Sequence, residues 1–198
     1  TAQVASLTTD QLVTMGTDQV AAFTTTQITA LTTKQVVALT TDQAAVLTTA
    51  QAASLTTAQI VAIETDDLQV MTTAQLVALT TAQMPTLTTA QVVALTSDQV
   101  SSLKTAQLAS LSTAQIAMLE TDDLVTLSTA QIRAIQTGDI AGLTTSQMVA
   151  LSGAQFAAMT TLQISVINTD QFSAIDAADM SSLSTSQISA LDSNQIIV

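Results

Sequence analysis

Histidine, cysteine, tyrosine and tryptophan are all missing from this 198-residue chain. With them go the commonest general base, the thiolate nucleophile, the usual transition-metal ligands and any disulfide framework. Basic residues are nearly missing too: Lys34, Lys104 and Arg133 stand against fifteen acidic residues, for a net charge of −12. A surface of that sign repels phosphate backbones and anionic membranes, so nucleic acid is not an expected partner. No apolar run approaches the ~18 residues that a membrane span needs, and no basic stretch precedes an apolar core, so membrane insertion is not expected within this segment. One proline, four glycines and two asparagines leave few turn formers.

What remains is a repeat. Starting from Leu87-Thr88-Thr89-Ala90-Gln91-Val92-Val93-Ala94 and stepping by eight, one frame runs without insertion or deletion over residues 7–198, giving 24 octads, with residues 1–6 as positions 3 to 8 of a truncated one. The chain therefore reads as a single uninterrupted array over residues 1–198. It opens in mid-octad without an initiator Met, as expected of a fragment of a longer chain.

Positions 1 and 6 of the octad are the large apolar rows and hence the expected core. Position 1 is mostly Leu, and position 6 runs from Leu12 and Val20 to Phe172 and Ile196. Position 8 is small almost throughout, as at Ala38, Ser54 and Gly142, which implies close approach of a neighbouring backbone. Position 3 is Thr in 20 octads and Ser in two. A hydroxyl held so strictly suits a helix N-cap, which accepts a hydrogen bond from an N–H two or three residues on. A competing register caps with position 2 and makes Gln at position 5 its reciprocal capping-box partner. Position 3 is preferred, because position 2 admits Lys104, Glu120 and Gln136.

Either register gives helices of five to seven residues. A continuous helix is excluded, because eight residues at ~100° each would spiral the apolar rows around the whole surface. A β-solenoid is the alternative, favoured by Thr, Val and Ile. Abundant Ala, Gln, Leu and Met, few turn formers and apolar spacings of five and three argue against it. Nucleating so short a helix is too costly for it to stand alone. The expected fold is all-α: a tightly wound solenoid of very short N-capped helices repeating every eight residues, in which neighbouring octads supply each other's core. Pro85 removes an intrahelical donor, so its octad is expected to be distorted.

Three octads break the pattern by placing an acid at position 2 and Asp at position 5. They carry Glu64, Asp66 and Asp67; Glu120, Asp122 and Asp123; and Asp176 and Asp179, and each follows the last by seven octads. Duplication of a seven-octad block explains the spacing. If seven octads make a whole number of superhelical turns, these carboxylates also line up as candidate cation sites. None has the ligand density of a calcium loop, so the expectation is solvated charge at helix N-termini, with no metal or cofactor. No hydroxyl or carboxylate is unique enough for a preorganised catalytic constellation, and no enzymatic activity is expected.

The motif Leu-Thr-Thr-x-Gln-[Val/Ile/Leu]-x-Ala resembles the Thr/Ala/Gln octapeptide tracts of very large bacterial secreted or surface proteins, often described as adhesin-like or haem-utilisation-like. The resemblance covers the whole chain and implies an extracellular or cell-surface location. Haem is not implied here, since no His or Tyr is present to ligate iron. Leu39-Thr40-Thr41-Asp42-Gln43 also resembles the opening of a TAL-effector repeat, but the length, second helix and basic surface of those repeats have no counterpart. The expected function is a rod-like stalk, spacer or filament-forming segment, capable of self-association end to end or laterally. The alternatives are a binding module using a regular Thr-rich face, for ice or another repetitive surface, and a protein or glycan adhesion surface.

Overall fold

The computed structural model describes residues 2–196, and every described element is helical. Among the described residues the chain forms α-helices of four to six residues, one per octad, with a single 3-10 helix at Met84–Thr86. The all-α solenoid expected from the octad is the fold found, and no strand occurs among the described residues.

The cap register and the helix length are the points at which the expected octad geometry must be corrected, since the helices run to four to six residues rather than five to seven. Position 2, not position 3, is the N-cap. Thr56 has extended φ/ψ of −72° and 159°, and its Oγ1 accepts from the Gln59 N–H, while Gln59 Oε1 accepts from the Thr56 N–H at 2.8 Å. That is a complete capping box, and it recurs wherever position 2 carries a hydroxyl or Asn168 above a Gln. Position 3 is then the first helical residue. Lys104 is tolerated at the cap because Gln107 still accepts from its backbone N–H at 2.9 Å. Half of the box survives without any side chain from position 2.

The chain comprises two compact units, Thr1–Leu103 and Lys104–Val198, built from the same octad. In the first unit each helix packs against the one three octads on: Thr41–Ala45 on Thr65–Val70, and Thr49–Ser54 on Thr73–Ala78. In the second, Thr121–Thr126 packs on Thr145–Ala150 and Thr129–Ala134 on Gly153–Ala158. Within each unit the side-chain hydrogen bonds between coils join residues 26 to 31 apart. One coil therefore takes between three and four octads.

Positions 1 and 6 form the core as expected. Position 6 is sealed in most octads, with Leu12, Ile60, Leu124 and Ile164 at 0% exposure, and position 1 is buried through the middle of the array; Met180 and Ile188 near the C-terminal end are more open. Position 8 is small because it lies against a neighbouring coil: a Cβ on Gly142 would clash with the methyl of Thr113 in the preceding one. The octad holding Pro85 is distorted as expected. A helix would need an N–H at that position, and the chain instead closes i→i+3 turns from Thr86 N to Gln83 O and from Leu87 N to Met84 O.

Candidate functional site

The side chain that does most in this fold is Gln at position 5. Its Oε1 caps its own helix while its Nε2 reaches back to the preceding coil. Gln59 Nε2 donates to the carbonyls of Ile28 at 2.7 Å and Leu31 at 2.8 Å. Gln155 does the same to Leu124 at 2.8 Å and Leu127 at 2.9 Å. The accepting carbonyls belong to positions 6 and 1, at the C-terminal end of a helix, where the position 6 carbonyl takes one backbone N–H, as Ile28 does from Leu31, and the position 1 carbonyl lies past the last intrahelical donor. One amide thus satisfies an orphan acceptor of one coil and an orphan donor of the next, and from Gln35 onward these glutamines are buried. Sequence reasoning met the capping half of this role only in the register it set aside, and missed the link. The near-invariance of Gln at position 5, where Glu would cap as well, was the available signal for the other half.

In the acidic octads of Asp67 and Asp179 this link is cut. Asp67, Asp123 and Asp179 replace the glutamine with a side chain one methylene shorter and without a donor. Glu64 and Glu120 occupy the N-cap without a side-chain cap bond, Asp66 and Asp122 sit in the first turn of their helices, and Asp176 caps the Asp179 N–H at 2.8 Å. Asp67 is buried. Burial, reinforced by the charges of Glu64 and Asp66, pushes its carboxyl up to about 6. It borders a cavity of about 10 Å³ with Val36, Leu39, Leu47 and Met71, which is at the limit for a single water. No group of three or more acidic side chains is close enough to hold a metal ion among the described residues. With three to four octads per coil, seven octads make two coils, so within the second unit the 120–123 and 176–179 clusters lie two coils apart.

Asp139 is a further exception at position 5. Its Oδ1 accepts from Thr113 Oγ1 at 2.6 Å, and its other oxygen is buried without a hydrogen-bond partner. Here the glutamine has moved to the cap: Gln136 Nε2 donates to the Ala109 carbonyl at 2.6 Å, so the coil-to-coil link is kept by another route.

Two regular features mark the surface. Because position 2 does the capping, position 3 hydroxyls are not spent on it, and Thr9, Thr33 and Thr57 are exposed on three helices that stack in the first unit, Thr9–Val13, Thr33–Val37 and Thr57–Ala62. On the same stack Val13, Val37 and Val61 are each more than two-fifths exposed. Shallow grooves lie between coils at helix N-termini. One of about 410 Å³ is bordered by Val61, Glu64, Asp66 and Thr88, and another of about 510 Å³ by Arg133, Gln136, Gly138 and Thr160. The first groove carries the carboxylates of Glu64 and Asp66 beside threonine hydroxyls, and the second has Arg133 as its one charged side chain. No helix is long and apolar enough to cross a membrane among the described residues.

A family model described as the ALTTAQ repeat matches residues 1–25, 60–97 and 116–153, just over half of the chain. No curated protein matches it.

Proposed function

This chain belongs to the ALTTAQ repeat family, and from that premise we propose that it is a structural, non-catalytic segment, a stalk, spacer or filament-forming part of a secreted or surface protein. The observation that carries the reading is the division of labour within the octad. Positions 1, 2, 5, 6 and 8 are committed to core, cap and coil-to-coil links, so nearly all of the chemistry present is spent on holding the array together. A spacer needs only that. Low charge density and the extracellular location implied by the resemblance to adhesin-like tracts support the same reading. Small-angle scattering on the chain and on a variant lacking one seven-octad block tests it. The maximum dimension should fall by the rise of two coils on deletion, and a particle whose dimension does not respond to octad number would sink the proposal.

A second reading is favoured by one observation, the exposed Thr9, Thr33 and Thr57 on stacked helices. Hydroxyls and methyls repeated from coil to coil make a regular face that suits an ordered surface such as ice. A thermal-hysteresis assay decides it: no hysteresis removes ice as the ligand.

A further inference from the structure

At Asp67, deep inside the first unit, the coil-to-coil link lacks a donor and nothing nearby replaces it. Glutamines at position 5 donate to carbonyls 31 and 28 residues back, Gln59 to Ile28 and Leu31, and Gln75 to Ala44 and Leu47. For Asp67 the corresponding acceptors are the carbonyls of Val36 and Leu39. The first takes the Leu39 N–H, and the second takes no donor among the described residues. Asp67 is 4% exposed, no donor reaches its carboxyl among the described residues, and it borders the cavity of about 10 Å³ together with Val36 and Leu39. The remaining side chains of that lining, from Ala44 to Met71, are apolar. Asp139 escapes the same difficulty, because its Oδ1 accepts from Thr113 and Gln136 carries the link to the Ala109 carbonyl. The octad of Asp67 has Glu64 at that cap, with no amide to lend. A hydrogen to complete the link can therefore come only from the carboxyl itself.

We propose that Asp67 is a proton-operated latch: protonated, it donates to the Leu39 carbonyl and ties the helix Thr65–Val70 to the preceding coil, and ionised, it sets oxygen against oxygen and lets that one contact open. The surrounding charges give the latch its sign. Glu64 and Asp66 belong to its own octad, and Asp42 to the packed helix Thr41–Ala45, while the packed helix Thr89–Val93 carries no charge. Lys34, on the helix that lends Val36 to the cavity, is exposed. Burial and then the two neighbouring acids raise the carboxyl from 3.8 to about 6. A group raised in the closed state favours closing when protonated, so the latch is set below the open-state value near 4 and released as pH rises through about 6. The opening is local, because Gln59 and Gln75 keep the links on either side. It does not depend on the stalk reading, since the latch would act in a binding array as well.

The test is amide hydrogen exchange on the whole chain, each rate divided by its intrinsic rate at the same pH. From about pH 4 to about pH 8, protection of the amides in Thr65–Val70 is expected to fall roughly fiftyfold. Amides of Gly153–Ala158, where Gln155 makes the ordinary link, should hold theirs. Asp67→Asn keeps the length of the side chain and carries a permanent donor, so its protection should stay at the parent's low-pH level across the range. Asp67→Gln rebuilds the standard link and should do the same, and it decides the matter if the asparagine variant loses its helical spectrum. Any one of three results overturns the proposal. The first is parent protection that is flat with pH. The second is a loss spread equally over Thr65–Val70 and Gly153–Ala158. The third is a folded Asp67→Asn held throughout at the parent's high-pH level, which would mean that burying the charge acts alone, with no donated hydrogen bond.

Discussion

Gln59 Nε2 lies 2.7 Å from the carbonyl oxygen of Ile28, a residue 31 positions earlier in the chain. With its second bond to the Leu31 carbonyl and its own Oε1 on the Thr56 N–H, this one amide makes three buried or half-buried hydrogen bonds. Gln59→Met keeps the volume and loses all three, leaving the Leu31 carbonyl and the Thr56 N–H unsatisfied and the Ile28 carbonyl with only the Leu31 N–H. At roughly 1 kcal/mol per bond the expected loss is about 2–4 kcal/mol. Gln11→Met, whose Nε2 reaches no carbonyl among the described residues, should cost about 1 kcal/mol or less. Urea denaturation of the two variants checks the ratio.

The cap register makes a prediction of opposite sign for two adjacent threonines. Thr56→Ala removes the oxygen that accepts from the Gln59 N–H and should destabilise by about 1 kcal/mol. Thr57→Ala changes an exposed first helical residue that makes no cap bond, and by propensity should be neutral or slightly stabilising. Thermal melts of both variants separate the registers, and a larger loss from Thr57 would contradict the observed cap.

Two glycines in one helix, Thr137–Ala141 and its C-cap, should respond differently to alanine. A Cβ at residue 138 meets nothing within 4 Å, so Gly138→Ala should stabilise by about 0.5–1 kcal/mol through the unfolded chain. A Cβ at residue 142 would overlap the Thr113 methyl, so Gly142→Ala should cost about 1–3 kcal/mol. Thr113→Ser in the Gly142→Ala background removes the clashing methyl and should restore most of that loss, as measured by midpoint shifts in a thermal melt.

Asp67 should tie stability to pH. Its carboxyl is raised to about 6, by burial first and then by Glu64 and Asp66. Asp42 on the packed helix Thr41–Ala45 adds a further acid, and the packed helix Thr89–Val93 carries no charge. A group raised in the folded state favours folding when protonated. Its contribution is complete below the unfolded value near 4 and is lost as pH rises through about 6. At 1.36 kcal/mol per unit of pKa the difference between pH 4 and pH 8 is about 2–3 kcal/mol. Asp67→Gln replaces the carboxyl with an amide able to donate to the Val36 and Leu39 carbonyls. It should be more stable than the parent at pH 8 and flatten the profile over this window, as read from denaturation midpoints across pH.

How much of this was legible in the residues depends on the range of the interaction concerned. The octad frame, the core rows and the distortion at Pro85 follow from periodicity and from one missing N–H, all of which act within a few residues. The choice between positions 2 and 3 was not legible by exclusion. Lys104, Glu120 and Gln136 argue against a cap only if the cap needs its own oxygen, and the reciprocal Gln removes that need. The reach of Gln59 to Ile28 was hidden for a different reason. It depends on the number of octads per coil, a tertiary quantity set by how Gly142 and Thr113 or Gly153 and Ser182 fit together. The acidic octads suggest solvated charge by composition, yet Asp67 is buried, because position 5 faces the preceding coil rather than solvent.

A coil of three to four octads also fixes how far apart in sequence any two partners can be. Joining further octads to the array would add contacts of the same short separation and none longer, so the mean loop that must close during folding would not grow with the molecule. Folding rates that fall with non-local topology should therefore be insensitive to array length, with each new coil growing on a finished one. Genes encoding such a chain can lengthen or shorten by whole octads, and the product need not solve a harder folding problem at any size.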